Sequence, residues 1–362
     1  NDTDTPELVH WHGQLIPSNI DGALEEGTPF VPPHGSRRYT LTPRPAGTRW
    51  VHTHAFSGSD THRGMYTGQF GIVYIEPANE PGGYDQEVFL ATHEWEPFFG
   101  AQEMGTDAEV WPQGPVPKPP PSSRPNGYEV GYKSVSINGK ALGHGEPVRV
   151  KRGQRVMFRI LNASATENIQ LALPGHLFEI VALDGNPVPT PKKVSVLALG
   201  VAERIDAIVE MNHPGVWILG TPHDDDRRDG MGIVVEYSDA TGAPRWIAPP
   251  KEAWDYTRFG TTQAIAAPDE TIPMKFGKIN GGKDGFNQWT INGELFEHST
   301  PIQIGLGRRY RLSFENLADD PHPVHLHRHT FELVSVNGKA TSGVMTDVIV
   351  VPGLGRADVD FV

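Results

Sequence analysis

The chain has 362 residues and a mass of 39.7 kDa, with 37% hydrophobic and 21% charged residues, a soluble globular composition too long for one ordinary core. Forty Gly and 33 Pro punctuate it into short elements, which disfavours long helices and points to an all-β class. A formal charge of −13 opposes adhesion to phosphate backbones or anionic lipid, the lack of Cys removes disulfides, thiolate zinc sites, Fe–S clusters and thiol nucleophiles from this segment, and no apolar run approaches the ~20 residues of a membrane helix.

In chain order, Val9-His10-Trp11-His12-Gly13 begins an alternating run and predicts a strand, with Asn19-Ile20-Asp21-Gly22 as a turn shortly after it. A second strand follows at Gly47-Thr48-Arg49-Trp50-Val51 and runs on into His52-Thr53-His54. From 106 to 127 the chain holds Pro112, Pro115, Pro117, Pro119, Pro120, Pro121 and Pro125, which cannot pair inside a sheet or helix, so this stretch reads as an extended linker closing a first unit over 1–105. Residues 128–240 form a second unit of short β-branched runs broken by Asn-Gly, Asp-Gly and Pro-Gly turns, the pattern of sandwich strands. Residues 241–269, rich in Pro and Ala, lack strand alternation and read as a second linker, leaving 270–362 as the third unit.

The units are duplicates. Ser136-Ile137-Asn138-Gly139 recurs as Thr290-Ile291-Asn292-Gly293 and the similarity continues for about 75 residues: 150–164 matches 305–319, 176–186 matches 329–339, and Glu203-Arg204-Ile205-Asp206 lies against Gly355-Arg356-Ala357-Asp358. The first unit is a partial third copy, with Gly47–Val51 against Gly215–Leu219. Val9–His12 corresponds to Val324–His327, so about 30 residues that precede this strand in the third unit have no counterpart in the first, and Val362 corresponds to Glu210, after which the second unit runs on to about Tyr237. The expectation is a chain that begins inside its first sandwich and stops about one hairpin short of closing its last, with open sheet edges at both.

Among 16 His, the spacing His-x-His occurs four times, at 10/12, 52/54, 325/327 and 327/329, where random placement gives about 0.7. On a strand, residues i and i+2 project to one side and can grip a metal, and neutral imidazoles suit Cu, Zn, Fe or Ni. The duplication supplies a control: the second unit places Ile169, Ala172 and Pro174 opposite His322, His325 and His327, and Gly220 and Pro222 opposite His52 and His54. The sandwich does not need these imidazoles, so the contrast points to a metal cluster where the outer units meet, with the second unit as spacer. His329 has His176 as its duplicate and reads as structural; His223 with Asp224, Asp225 and Asp226 reads as a solvated acidic loop; His34, His62, His93, His144, His213 and His298 have no spaced partners.

HWHG at 10–13, WVHTH at 50–54 and HPVHLHRHTFELV at 322–334, in that order and at those separations, resemble three of the four copper motifs of three-domain multicopper oxidases, specifically bacterial laccase-like enzymes. The resemblance covers essentially the whole chain. It implies three consecutive cupredoxin-like Greek-key β-sandwiches. It also implies that His10 and His325 hold a type 2 copper, His12 and His52 one type 3 copper, His54 and His327 the other, and His322 a type 1 copper. The family's fourth motif, a His-Cys-His strand with the type 1 thiolate, has no match here, and the hairpin expected after Val362 is where it would lie. Asp21 matches the position where the family keeps a proton-supplying carboxylate; read from the residues alone it is equally an Asp-Gly turn.

The resemblance implies an oxidase that takes single electrons from phenolic or aromatic-amine donors at a type 1 site and reduces O2 to water at a trinuclear cluster, in the periplasm or secreted. The 362-residue segment by itself is expected to be inactive, since it has no thiolate. A copper-binding protein without turnover is the second class, and a zinc hydrolase with three imidazoles and an open position the third. Six paired histidines exceed what one zinc needs. Seven scattered Met form no Met-rich insert of the kind a cuprous oxidase carries.

Overall fold

Strands dominate the computed structural model of the protein, which describes residues 1–57, 60–80, 82–101 and 107–362. Among these residues the longest helix is the six-residue Asp224–Asp229. The strand Val9–His12 pairs antiparallel with Gly47–Thr53, which pairs with Phe70–Ile75, and this three-stranded sheet sets His10 opposite His52 and His12 opposite Trp50.

Two six-stranded sheets form the other units. One runs in the order 186–194, 178–183, 204–210, 155–162, 86–95, 134–137; the other runs 339–346, 331–336, 356–361, 310–316, 270–279, 288–291. They are the same sheet used twice. Gln86–Trp95 lies parallel to Arg155–Asn162 as Glu270–Ile279 lies parallel to Tyr310–Asn316. The duplicates also share a register break, between Ile180 and Ala182 in one and between Leu333 and Ser335 in the other, where an extra residue bends the strand. Short ribbons form the facing layers: 169–171 with 197–199, and 216–220 with 232–237 and 148–150, in the second unit, and 322–325 with 348–351 in the third. Alternating apolar residues of each pair of layers interlock as a cupredoxin-like sandwich core, with Phe158, Phe178, Ile205 and Trp217 in one and Phe276, Phe314, Leu333 and Val359 in the other.

The structure corrects the expected domain boundaries. Residues 86–95, expected in the first unit, are an inner strand of the second sheet; parallel pairing joins segments about 70 residues apart and leaves no local signature. The expected junction at 105/106 lies outside the described residues. Beyond it the proline-rich stretch is no free linker, because Trp111 and Val116 are buried and the Gly114 and Val116 amides donate to the carbonyls of Gly353 and Leu354 in the third unit at 3.0 and 2.9 Å. Within 241–269 the part around 254–261 also packs into the core: Trp254, Tyr256 and Phe259 are buried around a 3₁₀ turn, and Thr261 bridges to Ser342. Proline blocks ladder pairing, but the aromatic anchors between the prolines decide where these segments lie.

One edge is uncovered. The structure shifts the expected match of 150–164 with 305–319 by one residue: Gly153 and Gly307 occupy the same left-handed turn, and the Asn162 and Asn316 amides bond the equivalent carbonyls of Glu203 and Gly355, so Val148 and Val150 correspond to Ile302 and Ile304. The valines pair with Gly232–Tyr237 and are 9% and 2% exposed; among the described residues no strand lies beside the isoleucines, which are 47% and 52% exposed. An apolar, unpaired edge recruits other chains. Replacing both Ile302 and Ile304 by Lys should therefore reduce self-association in light scattering and leave the melting temperature within about 2 °C, since surface changes shift stability by ~0.5 kcal/mol or less. A large drop in melting temperature would show that the edge is packed after all.

Candidate metal centre

Six imidazoles meet where the first and third units touch. His10 stacks on His327 with ring centroids 4.0 Å apart, His12 stacks on His325 at 3.6 Å, His52 lies 5.1 Å from His10, and His54 lies 5.5 Å from His10 and 4.9 Å from His327. His10 and His12 project from one face of the first strand, and His52 reaches the same face from its cross-strand partner. His54 and His327 differ from the strand expectation. Each lies one or two residues past its strand's end, and at 327 the chain turns through Arg328, whose φ of 61° is left-handed. Nitrogen atoms of His10, His325 and His327, and of His10, His12 and His52, lie within 4.8 Å of one another, the spacing of ligands around one ion.

The outer nitrogens are held. Nδ1 of His10 bonds the Asp21 carbonyl at 2.7 Å, Nδ1 of His325 the Asp347 carbonyl at 2.7 Å, and Nδ1 of His52 the Thr53 carbonyl at 2.9 Å. A carbonyl only accepts, so each ring carries its proton on Nδ1 and turns a bare Nε2 inward. Nε2 of His10 and of His325 is buried without a hydrogen-bond partner. Trp50 stacks on His52 at 4.2 Å and closes that side. Burial pushes the imidazoles down: His52 and His325 are held at about 3, and His10 and His12 well below the usual range, with neighbouring rings adding to the effect.

Asp21 is part of this site. It ends the one-turn helix Ser18–Asp21, with Gly22 in the left-handed cap that the Asp-Gly turn reading expects. Its fully buried side chain accepts from Nδ1 of His327 through Oδ2 at 2.9 Å, while Oδ1 has no hydrogen-bond partner. Gly22 is required there: a Cβ would fall 2.3 Å from the Val9 carbonyl oxygen and 2.4 Å from the His10 Cα. His322 stands apart, three positions from His325 and so on the other strand face, beside Trp289 at 4.3 Å and Phe276 at 5.3 Å, where burial pushes it down to about 4.

Sequence reasoning missed the acid behind the rings. Asp347 accepts from Nε2 of His12 at 3.1 Å and receives both terminal nitrogens of Arg204 at 2.7 Å and Arg49 at 3.2 Å, all buried. Its duplicate in the second unit is Ser195, the same present-versus-absent contrast that singled out the histidines, but a lone Asp in a Thr-Asp-Val run has no spacing to draw notice. Two further histidines lie away from the cluster, and the acidic run after His223 is a helix where a loop was expected. His329 bonds the His327 carbonyl at 3.0 Å and packs on Phe361, and His223 bonds Gln170 beside a short helix, Asp224–Asp229, in which Arg227 and Arg228 pair with Asp224 and Asp225.

Three family profiles described as multicopper oxidase match the chain in succession, over residues 1–80, 118–233 and 270–362. The chain belongs to the multicopper oxidase family. Relatives of the chain include Multicopper oxidase MmcO of Mycobacterium tuberculosis, 28% identical over 96% of the chain and 69% of that protein, and Copper resistance protein A of Escherichia coli, 27% identical over 56% of the chain and 37% of that protein. The fold superposes on the laccase from Botrytis aclada with a TM-score of 0.75 at 18% identity, covering all of this chain and 73% of the laccase. The chain thus spans about two thirds of the first of these relatives and aligns with little more than a third of the second. Copper is the family's cofactor, and the buried imidazole set offers the borderline nitrogen donors that copper takes.

Burial that keeps these rings neutral predicts acid sensitivity of the metal-free protein. In the unfolded chain each His binds a proton near pH 6.5 and in the folded chain His52 and His325 do so only near 3, so the unfolded state holds more protons throughout that window and stability falls as pH drops from 6.5 towards 3. The loss is up to about 2 kcal/mol per ring at pH 5. Melting temperatures at pH 7 and pH 5 should show this drop, and His52→Gln with His325→Gln should flatten it; an unchanged slope would mean that these rings already titrate freely in the folded protein.

Proposed function

We propose that this chain carries the trinuclear copper site of a laccase-like oxidase that takes single electrons from phenolic or aromatic-amine donors and passes them to O2, in a periplasmic or secreted setting. The observation that carries the reading is the pair of buried, unpartnered Nε2 atoms of His10 and His325, one from each outer unit, fixed inward by carbonyl bonds on Nδ1. Two such acceptors with no donor between them cost several kcal/mol unless a cation satisfies both. In this reading His10 and His325 serve a type 2 copper, His12 and His52 one type 3 copper, His54 and His327 the other, and His322 a type 1 copper that also needs a thiolate from outside these 362 residues. Bound copper would supply the one-electron redox chemistry and the site where O2 is reduced.

The chain's own groups do the rest. The rings fix the donor atoms in advance, since the sheets and carbonyl bonds leave them little freedom. Asp21 keeps its Oδ1 unbonded at a buried position beside His10 and His327, and in this reading that oxygen relays the protons that reduction of O2 to water consumes. Glu26 pairs with Arg328 at 2.8 Å and pins the Asp21 turn to the His327 turn across the unit boundary. A second reading, copper holding without turnover, draws support from the resemblance to Copper resistance protein A and from the absence of Cys in this chain.

Copper titration of the purified chain distinguishes these readings from zinc chemistry. The expected result is binding of copper without intense absorption near ~600 nm, because that colour needs a thiolate. His10→Gln should abolish the type 2 paramagnetic signal while His322→Gln leaves it in place. One zinc and no copper by elemental analysis would favour the hydrolase reading. In an oxidase containing this chain and a thiolate-bearing type 1 site, Asp21→Asn should slow O2 reduction, most at higher pH, and leave reduction of the type 1 site by donor unchanged; unaltered turnover at full copper content would return Asp21 to a turn residue.

A further inference from the structure

The central unit contributes no imidazole to the cluster, yet its charged groups reach the back of it. A carboxylate only accepts hydrogen bonds, so the 3.1 Å contact between Nε2 of His12 and Oδ1 of Asp347 places the ring proton on Nε2 and leaves Nδ1 bare. That bare Nδ1 faces Nε2 of His52 at 3.4 Å, and His52 has its own proton on the far side, bonded to the Thr53 carbonyl. Neither nitrogen can donate to the other, so both lone pairs point at one position. His10, His52, His325 and His327 all carry the outward bond on Nδ1. Of the five rings with a bonded outer nitrogen, His12 alone is turned the other way.

We propose that Asp347, aimed by Arg204 and Asp184 of the ligand-free central unit, is the positioning residue that sets the His12 tautomer and thereby the nitrogen through which His12 binds metal. The carboxylate has no rotational freedom: Arg204 donates to Oδ1 and Oδ2 at 2.7 Å each, Arg49 donates to Oδ2 at 3.2 Å, and the Asp347 amide donates to Oδ2 of Asp184 at 3.1 Å. Arg204 is itself fixed, its amide donating to Oδ1 of Asp184 at 2.9 Å and its Nε to the Thr48 carbonyl at 3.2 Å. Gly13, directly after His12, leaves the room: a Cβ there would fall 2.6 Å from Oδ2 of Asp347 and 2.9 Å from Nη2 of Arg204. The same residue orients His325 through its carbonyl, so one position in the third unit directs a ring from each outer unit. Partners behind metal-bound histidines fix tautomer and ring orientation in this way, and their loss lowers metal affinity ~10–100-fold.

The inference rests on the cluster being a metal centre, but its first test needs no metal. Long-range ¹H–¹⁵N correlation on metal-free protein with labelled histidine reads each ring's tautomer, with His12→Gln assigning the resonance. The expected result is a proton on Nε2 of His12 and on Nδ1 of His10, His52 and His325. In Asp347→Asn an amide N–H can face the ring and move the proton to Nδ1; cuprous affinity measured by chelator competition should then fall ~10–100-fold. Arg204→Lys keeps the carboxylate and a charge beside it, so it should lower the melting temperature yet leave the tautomer and the affinity near wild type. A purely structural anchor would give the two variants equal losses, and that result overturns the proposal. So does a folded Asp347→Asn whose His12 proton stays on Nε2. If Asp347→Asn does not fold, a proton on Nδ1 of His12 in the wild type or in Arg204→Lys overturns it, and a proton on Nε2 in both upholds it. Absence of copper binding in the wild type would sink the functional reading while leaving the tautomer result standing.

Discussion

The arrangement depends on a buried ion cluster in which Asp347 of the third unit, Arg204 and Asp184 of the second and Arg49 of the first meet with no exposure to water. Two guanidinium groups face two carboxylates. Burial alone would push the Asp347 carboxyl up, but Arg204 outweighs it and holds the group well below the usual carboxylate range. Burial works against Arg49 and pulls it down to about 10, still charged at neutral pH. Such a cluster adds little net stability over an apolar plug, whereas removing one member leaves an uncompensated charge at a cost of ~3–5 kcal/mol. It therefore acts chiefly on relative placement. The packing that brings these four charges together also brings His10 against His327 and His12 against His325.

Close approach of the units has its own requirement. Gly47 and Gly185 face each other across the boundary between the first and second units, both at positive φ, and a Cβ at Gly47 would fall 1.9 Å from the Gly185 carbonyl oxygen. The neighbouring Thr48 then bonds Asp206, which Arg159 holds at 2.7 Å, extending the polar seam along the second sheet. One sandwich plan, used twice, thus serves two ends: the third unit's facing ribbon presents clustered imidazoles, and the second unit presents charges behind them. The difference lies in a handful of side chains at matching positions, Ala172 against His325 and Ser195 against Asp347.

Much of this was legible from the chain alone because its signals are local. Alternation and turn residues wrote the strands, duplication exposed the repeated sandwich, and the excess of His-x-His spacing, read against a repeat that lacks it, picked out the six imidazoles and the two units that contribute them. The turn at Asp21 was legible as well. What the chain could not disclose are relations between segments far apart in sequence: the parallel pairing that gives 86–95 to the second sheet, the anchoring of the proline-rich stretch by Trp111 and Val116, and the bonds of Asp347 to Arg204 and Arg49 across 143 and 298 positions. Parallel strands and buried ion pairs join residues whose own neighbourhoods are unremarkable, so composition and periodicity contain no trace of them. The sequence by itself determined which side chains are available to bind metal; the tertiary structure decided which nitrogen of each faces inward, because that follows from hydrogen-bond partners that only folding brings within 3 Å.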